Sequence, residues 1–378
     1  MVARSIINSA LSGAPEESQP EAMERVDRDD EIDEELRRIL ESRKAEIKVI
    51  GIGGGGGNTV SRLMQVGIIG AETIAANTDA QDLLYTDSDR KILIGKDVSG
   101  GLGAGADPSI GAEAAKESKE EIKKALEGAD MVFVTCGLGG GTGTGASPVV
   151  ADIAKKLGAL TVGIVTMPFQ MEGRQRAKNA HEGLENLESV VDTLIVIPND
   201  KLLEIVPDVS IMTAFKVADE ILVNAVKGIA ELITKPGLVN LDFADVRAVM
   251  RSGGLAMIGM GESDSENRAV ESVEKSLSNP LIDVDITGAT GALINVAGGE
   301  SVTIRECQEI VDAVNQKINP DAKIIWGAQI DKSLGECIRT MLIITGVKSA
   351  QIYGPEKTFT HQKQREIEKV LGIDFVLK

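Results

Sequence analysis

The stretch "GLGGGTGTG", Gly137–Gly145, holds six glycines and two threonines in nine residues and carries no charge. Two further stretches are similar in kind: "GIGGGGGN", Gly51–Asn58, and "GGLGAGAD", Gly100–Asp107. Glycine weakens helices and strands alike, so such clusters need a chemical reason. The first two each follow an apolar run and precede a helix-period segment. Without Cβ atoms, successive backbone N–H groups can close on an anion, and a helix N-terminus adds roughly half a positive charge. Thr142 and Thr144 add hydroxyl donors. The pattern predicts backbone wrapped around phosphate.

The kind of phosphate ligand is less sharply drawn. "GIGGGG" alone fits a dinucleotide fingerprint, and Asp79 lies about 20 residues beyond the glycines, as that fingerprint requires. A nicotinamide site has no need of a second Gly/Thr cradle or a third small loop, so three loops favour a nucleoside di- or triphosphate. No "GxxxxGK[ST]" occurs, and "GKD" at Gly95 lacks the preceding glycine, which excludes a Walker loop. A dehydrogenase would need a catalytic His, Lys or Tyr in the second half, and "TGALINVAGG" offers no such constellation. His181 and His361 are the two histidines, and neither sits in a motif.

These loops must be held by a sheet. "IKVIGIG", "TIAANT", "KILIG", "MVFVTCG", "LTVGIVT" and "TLIVIP" are short, continuous apolar runs, as in a parallel sheet covered on both faces. Helix-period segments such as "IGAEAAKESKEEIKKALEG" and "ASPVVADIAKKLG" lie between them, predicting a doubly wound α/β domain. Ser210–Lys235 reads as one long helix, with Phe215, Ala218, Ile221, Leu222, Ala225, Ile229 and Leu232 at helical spacing. A helix this apolar is expected between two bodies, and Pro236 and Gly237 stop it. A β-α-β-α-β-β pattern follows from "LAMIGMGE" to "CIRTMLIITGV", which suits a smaller mixed sheet. The expected organisation is an acidic arm (1–45), a nucleotide-binding domain (46–212), a central helix (213–236), a C-terminal domain (237–347) and a tail (348–378).

Composition narrows the partners. The 378 residues are 43% hydrophobic and 26% charged, as in an ordinary globular protein, with aromatics at only 2% and a formal net charge of −18. So negative a chain repels nucleic-acid phosphates and anionic lipid, while a small anion held by local backbone N–H groups remains compatible. Cys136, Cys307 and Cys337 are too few and too scattered for a disulfide framework or zinc site, and read as reduced cytosolic thiols. No run reaches the roughly 18 to 20 apolar residues of a membrane span, and the N-terminus lacks the apolar core of a secretory signal. In the acidic arm, Ile32, Leu36 and Leu40 fall on one helical face, although such charge blocks read first as a solvated arm.

From about Lys48 to Val347, the chain resembles the FtsZ family of the tubulin superfamily. "GIGGGGGN", "ANTDAQ" (Ala76–Gln81), "GLGAG", "GGGTGTG", "PF" followed by "EGRQR", "IPND" and "NLDFADV" (Asn240–Val246) occur in that family's order. The resemblance implies a tubulin/FtsZ-like fold: a Rossmann-like parallel-sheet GTPase domain, a long central helix and a smaller mixed-sheet α/β domain. It implies GTP/GDP binding with Mg²⁺, and a monovalent cation near the acidic loop. It also implies a cytoplasmic protein at the division site on the inner face of the membrane. Its partners would be further copies of itself, head to tail, with tether or regulatory proteins meeting the tail. No nucleic-acid partner and no direct membrane insertion are expected. The long arm and compact tail point to an archaeal member. The ending "GIDFVLK" departs from the bacterial docking peptide, and it reads either as a docking helix with Ile367, Val370 and Leu371 on one face or as a frayed terminus.

Carried over by motif, Gly54, Gly55, Gly56, Gly57 and Asn58 form the first phosphate loop. Gly139, Gly140, Gly141, Thr142, Gly143, Thr144 and Gly145 form the signature loop. Asn77, Thr78 and Asp79 stand near nucleotide and metal, and Ala104 and Gly105 in the loop that senses the terminal phosphate. Glu172 and Arg176 match the ribose pair. Asn199, Phe215 and Asp219 match the guanine set. A buried Asp219 carboxylate can accept guanine's N1 and N2 hydrogens, and adenine lacks that donor pair. Asp242 and Asp245, with Asn240, match the acidic loop that completes a neighbour's site. The central helix spans roughly 36 Å, which would keep these acids from their own chain's phosphates and turn them toward the next subunit's. Capping and first-turn roles for the two acids stay open alongside this.

Overall fold

The computed structural model of the chain describes residues 45–201, 211–234, 238–239, 241–251, 253–278 and 284–349. Asn240, the acidic arm with Ile32, Leu36 and Leu40, the stop at Pro236 and Gly237, and the tail beyond Ser349 lie outside the described residues. The six apolar runs form strands β1 (Ile47–Ile52), β2 (Ala71–Asn77), β3 (Arg90–Leu93), β4 (Met131–Gly137), β5 (Leu160–Met167) and β6 (Thr193–Pro198). They pair in parallel in the order β3-β2-β1-β4-β5-β6. Alternate residues explain why the runs are apolar throughout. Ile50, Ile52, Val132 and Val134 enter one hydrophobic cluster, whereas Ile47, Val49, Met131 and Phe133 enter another on the opposite face.

In chain order the helices are α1 (Gly53–Val66), α2 (Ala80–Tyr85), α3 (Lys96–Ser99), α4 (Pro108–Glu117), α5 (Lys119–Leu126), α6 (Thr142–Lys156), α7 (Arg174–Glu188), α8 (Ile211–Thr234), α9 (Phe243–Met250), α10 (Arg268–Leu277) and α11 (Ile304–Asn315). The single helix expected over 110–128 is two, broken at Ser118 (φ −91°, ψ 21°). Its buried hydroxyl accepts the Gly95 N–H at 3.0 Å, so the break secures a neighbouring turn. Along α8, Ala218, Leu222, Val226 and Ile229 are buried. Leu222, Val226 and Ile229 share a cluster with strands β1, β4, β5 and β6 and with Ala256, Ile258, Leu293 and Ile343 from the C-terminal strands, whereas Ala218 packs in the cluster on the other face. Phe215, expected in the same stripe, is 42% exposed.

The C-terminal strands β7 (Gly254–Ser263), β8 (Gly291–Gly298), β9 (Lys323–Ile330) and β10 (Ile338–Thr345) alternate with α10 and α11 as expected. Strand β10 inserts antiparallel between β7 and β8, while β9 runs parallel to β8. This mixed portion continues the parallel one: Thr193, Leu194 and Ile195 of β6 pair with Gly254, Leu255 and Ala256 of β7. The described strands therefore form one ten-stranded sheet. Among the described residues, no helix is long and apolar enough to cross a membrane.

The first two glycine clusters were expected to be loops, yet they run into the first turns of helices, while the third, Gly100–Asp107, is a loop. Helix α1 begins at Gly53 rather than near Thr59, and α6 at Thr142 rather than near Ala146. Close packing explains glycine there. A Cβ on Gly56 would lie 2.5 Å from the Thr135 carbonyl oxygen, and one on Gly145 would lie 1.8 Å from that of Pro108. Gly145→Ala must therefore push α4 and α6 apart. It is expected to destabilise the fold by about 3 kcal/mol, read as a lowered urea midpoint. An unchanged midpoint would refute that packing.

Candidate functional site

The order of the parallel strands reverses between β1 and β4, and the glycine turns leave the carboxyl ends of those two strands. Such a switch point opens a crevice between the two connections. The helices that start there are open-ended. Neither α1 nor α6 has a side-chain cap or an acid in its first turn. By contrast, Asp79 caps α2, Asp107 caps α4 and Thr303 caps α11. Two uncapped N-termini facing one crevice leave N–H groups for an anion. The crevice is a cavity of about 460 Å³, the size of a small-molecule site.

Several candidate residues line it. Gly54, Gly55 and Asn58 come from α1, and Gly140, Gly141, Thr142 and Gly143 from the second turn. At the other end stand Glu172 and Arg176, then Asn199, Phe215 and Asp219. The two glycine turns touch each other. Gly53 has φ +69°, and a Cβ on it would sit 3.0 Å from the Gly143 nitrogen. Only glycine combines that backbone with that approach.

Other candidates stand behind the wall. Gly56 and Gly57 are buried in α1 packing, the latter beside Thr86. Gly145 packs on α4 as described. Thr144 turns inward: its hydroxyl accepts the Gly139 N–H at 2.8 Å, which shapes the turn instead of facing the cavity. The Thr78 hydroxyl, fully buried, meets that of Thr142 at 2.6 Å. Asn77 is buried and donates to Asp82 at 2.7 Å. Asp79 accepts the Gln81 and Asp82 N–H groups at 2.9 and 3.1 Å. The third loop packs on the second, because the Ala104 Cβ leaves only 2.8 Å for a Cβ on Gly141. Gly105 (φ +55°) and Ala106 (φ +61°) turn the loop back, and Asn179 holds it by donating to the Ala106 carbonyl at 3.2 Å.

The far end is built for something other than phosphate. Burial pushes the Asp219 carboxyl up to about 6, so a donor arriving there would be strongly rewarded. Asn199 is buried, and its Oδ1 has no hydrogen-bond partner among the described residues; such an orphan costs free energy until a donor reaches it. Phe215 meets Phe169 edge-on, with ring centroids 5.2 Å apart and planes at 84°, and its exposure leaves it free to stack. Glu172 pairs with Arg176 one turn on, and also accepts the Phe169 N–H at 2.9 Å.

Asp242 and Asp245 are not brought to this cavity. Helix α9 sits at the amino edge of the sheet. Arg247 donates to the Gly158 carbonyl, just before β5, at 3.0 Å, and Met250 accepts from Thr193, the first residue of β6. The end of α8 is at the same edge, where Thr234 donates to the Ile69 carbonyl ahead of β2. An eight-residue strand such as β5 spans about 26 Å, and the cavity lies at its other end. Asp242 occupies the N-cap position of α9, yet its side chain makes no cap hydrogen bond; Asp245 is half-buried in the first turn.

The cavity also has walls to which the motifs assigned no role: Ile52, Gly53, Leu138, Thr166, Pro168 and Leu222. Most sit at or directly after the carboxyl ends of β1, β4 and β5. That position relative to the strands was the available signal.

The family described as "Tubulin/FtsZ family, GTPase domain" matches residues 46–207, and "FtsZ family, C-terminal domain" matches residues 254–348. The chain is 59% identical to "Cell division protein FtsZ 1" of Thermococcus kodakarensis, over 94% of this chain and 95% of that one. It is 55% identical to "Cell division protein FtsZ 1" of Archaeoglobus fulgidus over the full length of both. A solved structure, "FtsZ dimer, empty (M. jannaschii)", superposes with a TM-score of 0.79 at 62% identity, covering 83% of this chain and 92% of that one.

Proposed function

The chain belongs to the FtsZ family of cell-division GTPases in the tubulin superfamily, and from that premise we propose a polymerising enzyme whose subunits stack head to tail and complete one another's hydrolytic site. One observation carries this reading: the nucleotide cavity and the acids Asp242 and Asp245 lie at opposite edges of one sheet. A surface at one pole that needs a surface at the other makes a heterologous contact that does not close, and so a filament. The M. jannaschii relative was solved as a dimer, in keeping with such pairing.

In this reading the open N-termini of α1 and α6 hold the phosphates of GTP. Arg176 and Glu172 bind the ribose. Phe215 stacks on the guanine, whose N1 and N2 hydrogens go to Asp219, and Asn199 gains its missing donor. The incoming subunit's Asp242 and Asp245, with Asn240, orient and polarise the attacking water, directly or through a monovalent cation. Positioning and electrostatics supply most of the catalysis in phosphoryl transfer. Among the described residues, no group of three or more His, Cys, Asp or Glu side chains could hold a metal by itself. That fits Mg²⁺ carried on the nucleotide, with one or two carboxylates and water completing its shell. When bound, Mg²⁺ would neutralise charge on the phosphate oxygens. The tail would dock a membrane tether or regulator through Ile367, Val370 and Leu371, placing filaments at the division site.

The test is sedimentation with GTP, GDP, a slowly hydrolysed GTP analogue and NAD. GTP-dependent pelleting with phosphate release is expected. Pelleting without release would mean a filament former that does not turn over, and GTP turnover equally fast in dilute monomer would refute the divided site.

The carboxyl of Asp219 sets a pH dependence. Guanine donors favour its ionised form, so binding releases a proton, and affinity is full above about 6 and falls below it. With half-ionisation near 6, GDP affinity should drop about tenfold between pH 7 and pH 5, measured by calorimetry. The unliganded fold responds with the opposite sign. Below pH 6 the folded chain keeps a proton here that the unfolded chain releases down to its ordinary carboxylate range, so stability from this group falls as pH rises through that window. Weaker binding at pH 5 would thus not stem from this group unfolding the chain.

A further inference from the structure

Asp82, the third residue of α2, belongs to none of the glycine motifs. Its Oδ2 accepts the Asn77 amide at 2.7 Å and lies 3.4 Å from where a Cβ on Gly54 would stand. Gly54 lines the cavity in the first turn of α1, a helix with no acid of its own at that end. The neighbouring Asp79 uses its Oδ1 to cap α2. The Asp79 Oδ2 stands 3.8 Å from where a Cβ on Gly103 would be, in the third loop, so Asp82 is the carboxylate set against the α1 turn itself. We propose that Asp82 makes nucleotide affinity depend on a divalent cation.

The argument is electrostatic and rests on the reading that the cavity binds guanine nucleotides. A fixed anion beside the α1 turn opposes the phosphates that the turn attracts. When a divalent cation accompanies the nucleotide, the same anion becomes an attractive neighbour for it or for its bound water. Asp82 would thus penalise bare nucleotide and favour the cation complex. Asn77 holds the carboxylate at the turn, which gives this buried amide a reason to sit at the end of β2.

Asp82→Asn tests the idea with little other change, because it keeps an oxygen acceptor for Asn77 and removes the charge. GDP affinity of the full chain is measured by calorimetry in Mg²⁺ and in EDTA at low salt, with thermal midpoints as a folding control. The wild type should weaken on chelation. In EDTA, Asp82→Asn should bind GDP about tenfold more tightly than wild type, with its gain from Mg²⁺ reduced by the same factor. Added salt should narrow the gap, and Asp82→Glu should keep the wild-type response. Asp82→Ser serves as a second charge-removing variant should Asp82→Asn lower the thermal midpoint. A purely structural role would weaken binding equally with and without Mg²⁺, and an unchanged Mg²⁺/EDTA ratio in the charge-removing variants overturns the proposal. Failure of the wild type to bind GDP under either condition would overturn the nucleotide reading itself, and this inference with it.

Discussion

Asp219→Ala is expected to leave a folded protein that has lost GTP and GDP. The side chain sits in the cavity wall on α8, desolvated enough to raise its carboxyl to about 6. Guanine would bring it two N–H donors, and hydrogen bonds to a charged acceptor contribute about 1.5–3 kcal/mol each. Losing both corresponds to a fall in affinity of two to four orders of magnitude. The fold should not suffer, because an unliganded desolvated carboxylate is itself a cost. Asp219→Asn sharpens the point. Its Oδ1 can accept the N1 hydrogen, but its amide meets the guanine N2 amino group donor to donor. Xanthine carries an oxygen at that position, so this variant should prefer xanthosine over guanosine diphosphate. Titration of both variants with the two nucleotides measures the effect, and near-wild-type GDP affinity in either would remove Asp219 from the base site.

Asp245→Ala should separate binding from turnover. Asp245 stands at the amino edge of the sheet, far from the cavity of its own chain, so GDP affinity should stay within about twofold of wild type. Hydrolysis should fall by about two to three orders of magnitude, the usual effect of removing a group that positions or polarises the reacting atoms. The divided site also predicts complementation. Asp219→Ala subunits bring intact acids and an empty cavity; Asp245→Ala subunits bring bound GTP and an incomplete acidic loop. Each alone should be inactive, yet a mixture should recover turnover at contacts where the acids of the first meet the nucleotide of the second. An inactive mixture of variants that still assemble would show that the acids do not act across the contact. In the wild type, turnover per molecule should rise steeply with protein concentration.

Much of this is legible in the amino-acid sequence. A fully buried parallel strand must be apolar on both faces, so β1, β4 and β5 announce themselves as unbroken runs. The order of glycine turn after strand, then helix, placed both glycine turns at a carboxyl edge. Less legible was what each glycine does. "GGGGG" reads as a phosphate loop ahead of a helix, because local propensity opposes a helix there. The chain is helical from Gly53 because Gly56 must clear Thr135 and Gly51, a contact between segments about eighty residues apart. Thr144 and Thr142 are chemically alike and two residues apart, but one supports the turn and the other faces the cavity. Only the direction of the helix start separates them.

The amino-acid sequence by itself determined the fold class, the family and the two chemical poles, because period, glycine placement and motif order are local properties of the chain. Tertiary structure alone decided which residues share a cavity. It set Asn199 with an unmet acceptor, raised the carboxyl of Asp219 and brought Asp82 to Gly54. Those are matters of burial and distance between remote segments, fixed by how the sheet orders its strands and by the length of α8, and no local pattern encodes them.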